Sequence, residues 1–138
     1  MNKIVDFNRI GYVAATFEVD ANTQAYLKAN HLNVSTGNVD VNGLNLAVKL
    51  GADGKVGFGA GAAEDALLGI IVAYEMDGFC SVQIAGGIDG VPTAAAVVAG
   101  RKALAVDAAG KIVVVEGARE TTVAKPSTSD NLFASIIL

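Results

Sequence analysis

The sequence predicts an all-β protein: a small domain of short hairpins behind an N-terminal arm, with at most one or two short helices. Three observations carry this. First, residues 67–86, LLGIIVAYEMDGFCSVQIAG, read as a buried strand, a Met76-Asp77-Gly78 turn and a second strand. Cys80, Val82 and Ile84 alternate there with Ser81 and Gln83, the period of two expected of a half-buried strand. Second, one hairpin pattern occurs twice. Third, the chain has 16 Gly but only 2 Pro, a balance suited to many tight turns rather than to a disordered linker.

In chain order, residues 1–30 form the arm, a strand over 11–19 followed by a loop or short helix ending at Asn30, and residues 31–138 form a single β domain. The arm holds Phe7, Tyr12, Phe17 and Tyr26, half of the eight aromatics. These rings need a surface to bury them, either this chain's own core or a neighbour on which the arm docks. Residues 31–45 are loop-rich, and Asn42-Gly43 favours a tight turn. In residues 67–74, Leu68, Ile70, Val72 and Tyr74 share one face and Leu67, Ile71 and Ala73 the other, so both faces should be covered.

The repeated hairpin runs Asn45-Leu46-Ala47-Val48-Lys49-Leu50, turn Gly51-Ala52-Asp53-Gly54, Lys55-Val56, and again Lys102-Ala103-Leu104-Ala105-Val106, turn Asp107-Ala108-Ala109-Gly110, Lys111-Ile112-Val113-Val114-Val115. Each turn closes on a Gly able to take a positive φ, and an Asp is placed to bond the turn backbone. After each hairpin comes a further apolar strand, residues 67–74 in the first half and 132–138 in the second. Residues 86–90, GGIDG, read as a breaker, residues 92–100 as extended, and residues 125–130 as an exposed loop.

At 138 residues the chain is long enough to bury a core without staples, and with 52% hydrophobic residues but only 6% aromatic and no Trp, that core is built from Val, Ile, Leu and Ala. Net charge is −4, and residues 31–90 hold Lys49 and Lys55 against seven acids. Such a balance, with no basic cluster, argues against direct nucleic-acid binding. The start, MNKIVDFNRI, has no apolar run and is not read as a secretory signal. No apolar stretch reaches the length of a membrane span. Cys80 is the only cysteine, so it has no partner for an intrachain disulfide, and its place on an apolar face makes it a small buried hydrophobe. The expectation is a protein made in a reducing cytoplasm.

Candidate chemistry is sparse. Residues 57–62, GFGAGA, fit G-x-G-x-x-A, but the segment that follows is too short for the helix of a dinucleotide site, so strand-end glycines are the better account. Glu64-Asp65, Glu75 with Asp77, and Glu116 with Glu120 are carboxylate pairs, yet they fall at turns and strand ends where charge is solvated. His31 is the only histidine and has no Cys or second His to share a metal. Lys55 and Lys111 open strands after turn glycines, an unfavourable place for a modified carrier lysine. No catalytic, cofactor or metal site is expected.

With residues 67–91, 95–117 and 132–138 laid out, the order of parts resembles the capsid decoration (cement) proteins of tailed bacteriophages, of the β-tulip or related β-barrel kind. The likeness covers roughly residues 45–138. It implies a non-enzymatic virion protein on the capsid exterior, bound to the major capsid protein and stabilising the expanded head, as a homo-oligomer with a trimer favoured. The aromatic arm is then the natural docking element, with Phe7, Arg9 and Tyr12 as capsid contacts. The alternatives are a tail or head-fibre structural protein, or a small β carrier or ligand-binding domain using Lys55 or Lys111.

Overall fold

A computed structural model describes residues 13–75 and 77–138 of the chain. The expected β character is found. In chain order the elements are β1 (Val13–Glu18), α1 (Ala21–Asn30), β2 (Leu32–Asn33), β3 (Asn38–Val39), β4 (Ala47–Leu50), β5 (Val56–Gly57), β6 (Gly69–Tyr74), β7 (Phe79–Ala85), β8 (Gly87–Pro92), β9 (Gly100–Val106), β10 (Ile112–Val114), β11 (Glu120–Lys125) and β12 (Phe133–Ile137). One 3-10 turn, Ala63–Asp65, precedes β6.

Two five-stranded sheets have the same plan. The first is ordered β1-β7-β6-β4-β5 and the second β8-β12-β11-β9-β10, with neighbours antiparallel throughout. The outermost strands of each sheet then curl toward one another through a single parallel bridge, Val19 with Val56 and Thr93 with Ile112. The next N–H seals each contact: Asp20 donates to the Val56 carbonyl at 2.9 Å and Ala94 to the Ile112 carbonyl at 3.0 Å. Curling in this way pairs the edges that an open sheet would expose. The domain is thus two copies of one curled unit.

The sequence echo marks the matching hairpins. Leu50 faces Val56 as Val106 faces Ile112, and Lys49 faces Gly57 as Ala105 faces Val113. Gly54 and Gly110 hold φ of +81° and +79°, the left-handed conformation the turns demand. The Lys55 N–H bonds to Asp53 and the Lys111 N–H to Asp107, so carboxylates at different turn positions do the same work.

Both apolar strands expected after the hairpins are present, as β6 and β12, but they are not equivalent, because β11 intervenes after the second hairpin. β6 corresponds to β11, and the terminal strand β12 corresponds to β7; β6 and β11 even carry a register shift at the same place, Ile71/Ala73 and Val123/Lys125. β11 is ETTVAK, whose threonines and charges hide it from a search for apolar runs. Residues 86–90 are also not a breaker: only Gly86 interrupts, and β8 begins at Gly87. Of residues 92–100, expected to be extended, 94–99 are irregular. In the exposed loop 125–130, Ser127 is the buried exception; its hydroxyl accepts from the Val97 N–H at 2.9 Å and from the Thr93 hydroxyl at 3.0 Å.

The two units differ mainly in one connection. Residues 19–46 of the first carry α1 and the β2–β3 hairpin, where the second has only residues 93–99. α1 starts because the Asp20 side chain accepts the Thr23 N–H at 2.7 Å, and it is anchored by fully buried Leu27. Residues 13–30 of the arm are accordingly woven into the first unit.

β4 and β6 form a wall shared by both units. Ala47, Leu67 and Ile70 belong to the core of the second unit, while Val48, Leu68 and Ile71 pack in the core of the first; the Phe58 ring packs against both. The double-sided burial expected of residues 67–74 is therefore real through Ile71 and fades to half-burial from Val72 to Tyr74. Its face assignment needs correction, because Leu68 and Tyr74 pack with Ile71 and not with Ile70. The register shift between Ile71 and Ala73 reverses the alternation for Tyr74, and Leu67-Leu68 precede the strand.

Ile70→Ala and Ile71→Ala remove buried atoms from opposite cores, and each should cost about 3 kcal/mol. Because the wall is common to both units, urea unfolding followed by far-UV circular dichroism should remain one transition in both variants. Separate unfolding of one unit would contradict a shared wall.

Candidate functional site

The polar residues with the most specific geometry gather where α1, the β4–β5 end and the second unit's turn meet. A cleft of 380 Å³ lies there, lined by Asp20, Asn22, Thr23, Tyr26, Lys49 and Phe58. Its floor is held from two sides. The Thr23 hydroxyl accepts the Phe58 N–H at 2.9 Å, and the Tyr26 and Phe58 rings meet edge to face with centroids 5.4 Å apart.

Beside it, Lys49 Nζ lies 2.5 Å from Asp65 Oδ1, and Asp65 Oδ2 accepts the Ala60 and Ala62 N–H groups at 2.7 and 3.2 Å. Asp65 is only 3% exposed. The bond from Lys49 outweighs the cost of burial, and with the two backbone donors it holds the carboxyl below its ordinary 3.8. Sequence reasoning placed Glu64-Asp65 together in solvent; Glu64 is exposed, but Asp65 turns inward. The missed signal is the spacing of Ala60, Ala62 and Asp65, which lets one carboxylate collect the N–H groups of its own loop.

The glycines of residues 57–62 serve this geometry. A side chain at Gly57 would collide with Asp20 and Thr23, and one at Gly59 with Asp65 and the Val106 carbonyl. The 3-10 turn that follows is no dinucleotide-binding helix. These are close-approach glycines, a more specific role than flexible strand ends. The cleft's polar groups cap α1, hold Phe58 to it and tie β4 to the loop before β6, which makes the arrangement a staple within the first unit.

The other candidates lie apart. Cys80 is buried, and desolvation pushes its thiol up to about 11, so it is an inert core residue. His31 ends α1, with its ring 6.1 Å from that of Tyr26. Glu75 and Asp77 are exposed around the β6–β7 turn, and Glu116 and Glu120 are exposed near β11. Lys55 pairs loosely with Glu18 at 3.5 Å, and Lys111 is exposed. Gln83, expected on the outer face, is buried because its amide donates to the Ala85 carbonyl of its own strand and to the Gly87 carbonyl across the unit boundary. Phe7, Arg9 and Tyr12 lie outside the described residues. Among the described residues, no group of three His, Cys, Asp or Glu is placed to hold a metal, and no helix is long and apolar enough to cross a membrane.

Large apolar side chains nevertheless remain in water: Val34 is 90% exposed, Val98 65%, Phe133 52% and Phe79 40%. Scattered single residues of this kind are ordinary, but two aromatics on strand ends are a costlier exposure.

The depressed Asp65 pKa fixes the sign of an acid effect. Stability from this carboxylate is fully present above the unfolded value near 3.8 and is lost as pH falls through the lower folded value. Asp65→Asn should cost about 2 kcal/mol at pH 7 and flatten the decline in thermal midpoint below pH 4. Comparison of the chain with protein-family models, with curated proteins and with solved structures finds no match, so these residues and their geometry stand as the ground for a functional reading.

Proposed function

We propose that this chain is a structural, non-enzymatic protein that decorates the outside of a tailed-phage head, binding the major capsid protein and stabilising the expanded shell. The observation that carries the reading is a doubly cored β scaffold that leaves Phe79, Phe133, Val98 and Val34 outside it, each fixed on a strand or on the connections between them. A rigid scaffold loses little freedom on docking, so exposed rings on it are efficient anchors. The family resemblance over residues 45–138 supports the same reading. Phe7, Arg9 and Tyr12 remain proposed contacts of the arm. A homo-oligomer, a trimer in the favoured form, would multiply each weak contact on a repeating shell. In this reading the protein is made in the host cytoplasm and ends on the virion exterior.

Purified protein mixed with expanded, undecorated heads should co-sediment to saturation and raise the temperature at which the heads release DNA. Light scattering of the free protein should give three times the 14.0 kDa chain mass. Heads that take up no protein would refute the reading.

A further inference from the structure

Asn42-Gly43 is the one place in the sequence where an asparagine precedes a glycine. The order matters chemically, because the backbone nitrogen of the following residue can reach the asparagine side-chain carbonyl in a five-membered ring, and glycine puts no side chain in the way. The structure gives the pair an open setting. Both residues are exposed, and no atom lies within 4 Å of where a Gly43 side chain would begin. The Asn42 N–H is bonded to Asp40 Oδ1 at 3.1 Å, but among the described residues neither the Asn42 side chain nor the Gly43 N–H has a partner. Gly43 takes φ of +76° in a turn closed by one bond at the long end of the normal range, Leu44 N–H to the Val41 carbonyl at 3.2 Å, so little opposes rotation of the peptide between them.

Comparable sites are tied down. Asn30 donates its amide to the Tyr26 carbonyl at 3.0 Å, Asn45 to the Asp89 and Gly90 carbonyls at 3.0 and 3.2 Å, and Asn33 accepts the Ser35 N–H at 2.9 Å. Each is followed by a larger residue, His31, Leu46 and Val34. Asp53-Gly54 and Asp77-Gly78 could close the same ring by losing water, yet the Gly54 and Gly78 N–H groups are bonded to the Gly51 and Glu75 carbonyls, and each carboxylate accepts a neighbouring N–H. At both, the attacking nitrogen is already occupied, as at Gly43 it is not.

We propose that Asn42 is a site of spontaneous, non-enzymatic modification. The Gly43 nitrogen gives up its proton to solvent and bonds to Cγ of Asn42; the side-chain nitrogen takes a proton and leaves as ammonia, and a succinimide ring remains. Water then opens the ring. Attack at Cγ breaks the new C–N bond and yields aspartate, whereas attack at the main-chain carbonyl breaks the original peptide bond and yields isoaspartate, whose backbone runs through Cβ and Cγ. The balance is one water in and one ammonia out. Either product sets a new carboxylate two residues from Asp40 and makes the net charge of −4 one unit more negative. Isoaspartate also adds one backbone carbon between buried Val41 and buried Leu46.

The whole chain, kept folded in warm, mildly alkaline buffer and sampled by ion exchange and by peptide mapping with mass spectrometry, tests this. An acidic form should accumulate with aspartate and isoaspartate at position 42, about 10-fold faster than any change at Asn45, whose amide must first release its carbonyl partners. Asn42→Gln, with a side chain one carbon too long for the five-membered ring, should melt as wild type does and lose the acidic form. Retention of the Asn42 amide in the folded protein, over a time in which the urea-unfolded chain loses it, would show that the turn protects the bond and would overturn the proposal. An undiminished acidic form in Asn42→Gln, or equal change at Asn45, would overturn it as well. None of these outcomes bears on the decoration reading, since no shell is present.

Discussion

The burial of β4 and β6 on both faces is the constraint on which the rest of the structure depends. A sheet normally has one side to hide; these strands must serve two cores at once, with Ala47 and Ile70 facing one and Val48 and Ile71 the other. That demand explains the continuous apolar run at residues 67–72. Close approach at Gly57 in β5, at Gly59 in the loop that follows and at Gly69 at the head of β6 leaves no space for a side chain, with the Gln83 carbonyl lying against Gly69. The Lys49–Asp65 pair then pins the loop to the wall from the outer end. Charge is tolerated there because each oxygen of the carboxylate has a partner.

Local features of the fold were legible because local forces write them. The two Gly-closed hairpins, the β6–β7 turn and the end of α1 at Asn30 each depend on a few adjacent residues. The duplication was only half legible. Val19 corresponds to Thr93, Val56 to Ile112 and Phe79 to Phe133, three different spacings, because α1 and the β2–β3 hairpin lengthen one connection of the first unit and the stretch from Val56 to Phe79 is also longer than that from Ile112 to Phe133. A repeat with no fixed period leaves its trace in strand register, which a linear reading cannot see. β8 escaped notice for a related reason: Gly87 and Gly90 look like punctuation, yet strand pairing with β12 overrides their weak propensity.

The polar residues were harder still. Asp65 and Gln83 were placed in solvent because charge and amide usually are, and both are buried because tertiary partners satisfy them. Nothing adjacent in sequence announces Lys49 as the partner of Asp65. The glycines of residues 57–62, read as strand-end glycines rather than a dinucleotide site, give clearance for the carboxylates of Asp20 and Asp65. The exposed rings could be read from sequence only as strand residues, since which face of an end residue meets water is settled by what the chain builds beyond it.

The way the units join carries a further meaning. Backbone bonds join the units: the N–H groups of Ala47, Gly59, Gly61 and Leu67 donate to the carbonyls of Gly110, Asp107, Val106 and Leu104, and Ala66 bridges Ala105 antiparallel. The join therefore uses different surfaces of the two units, β4 and the loop before β6 in one against β9 and its turn in the other. The position in the second unit that matches Gly59 is Val115, and its N–H folds back onto the Ala103 carbonyl of its own unit at 3.0 Å. That inward turn satisfies within the second unit the donor that the first unit extends across the junction.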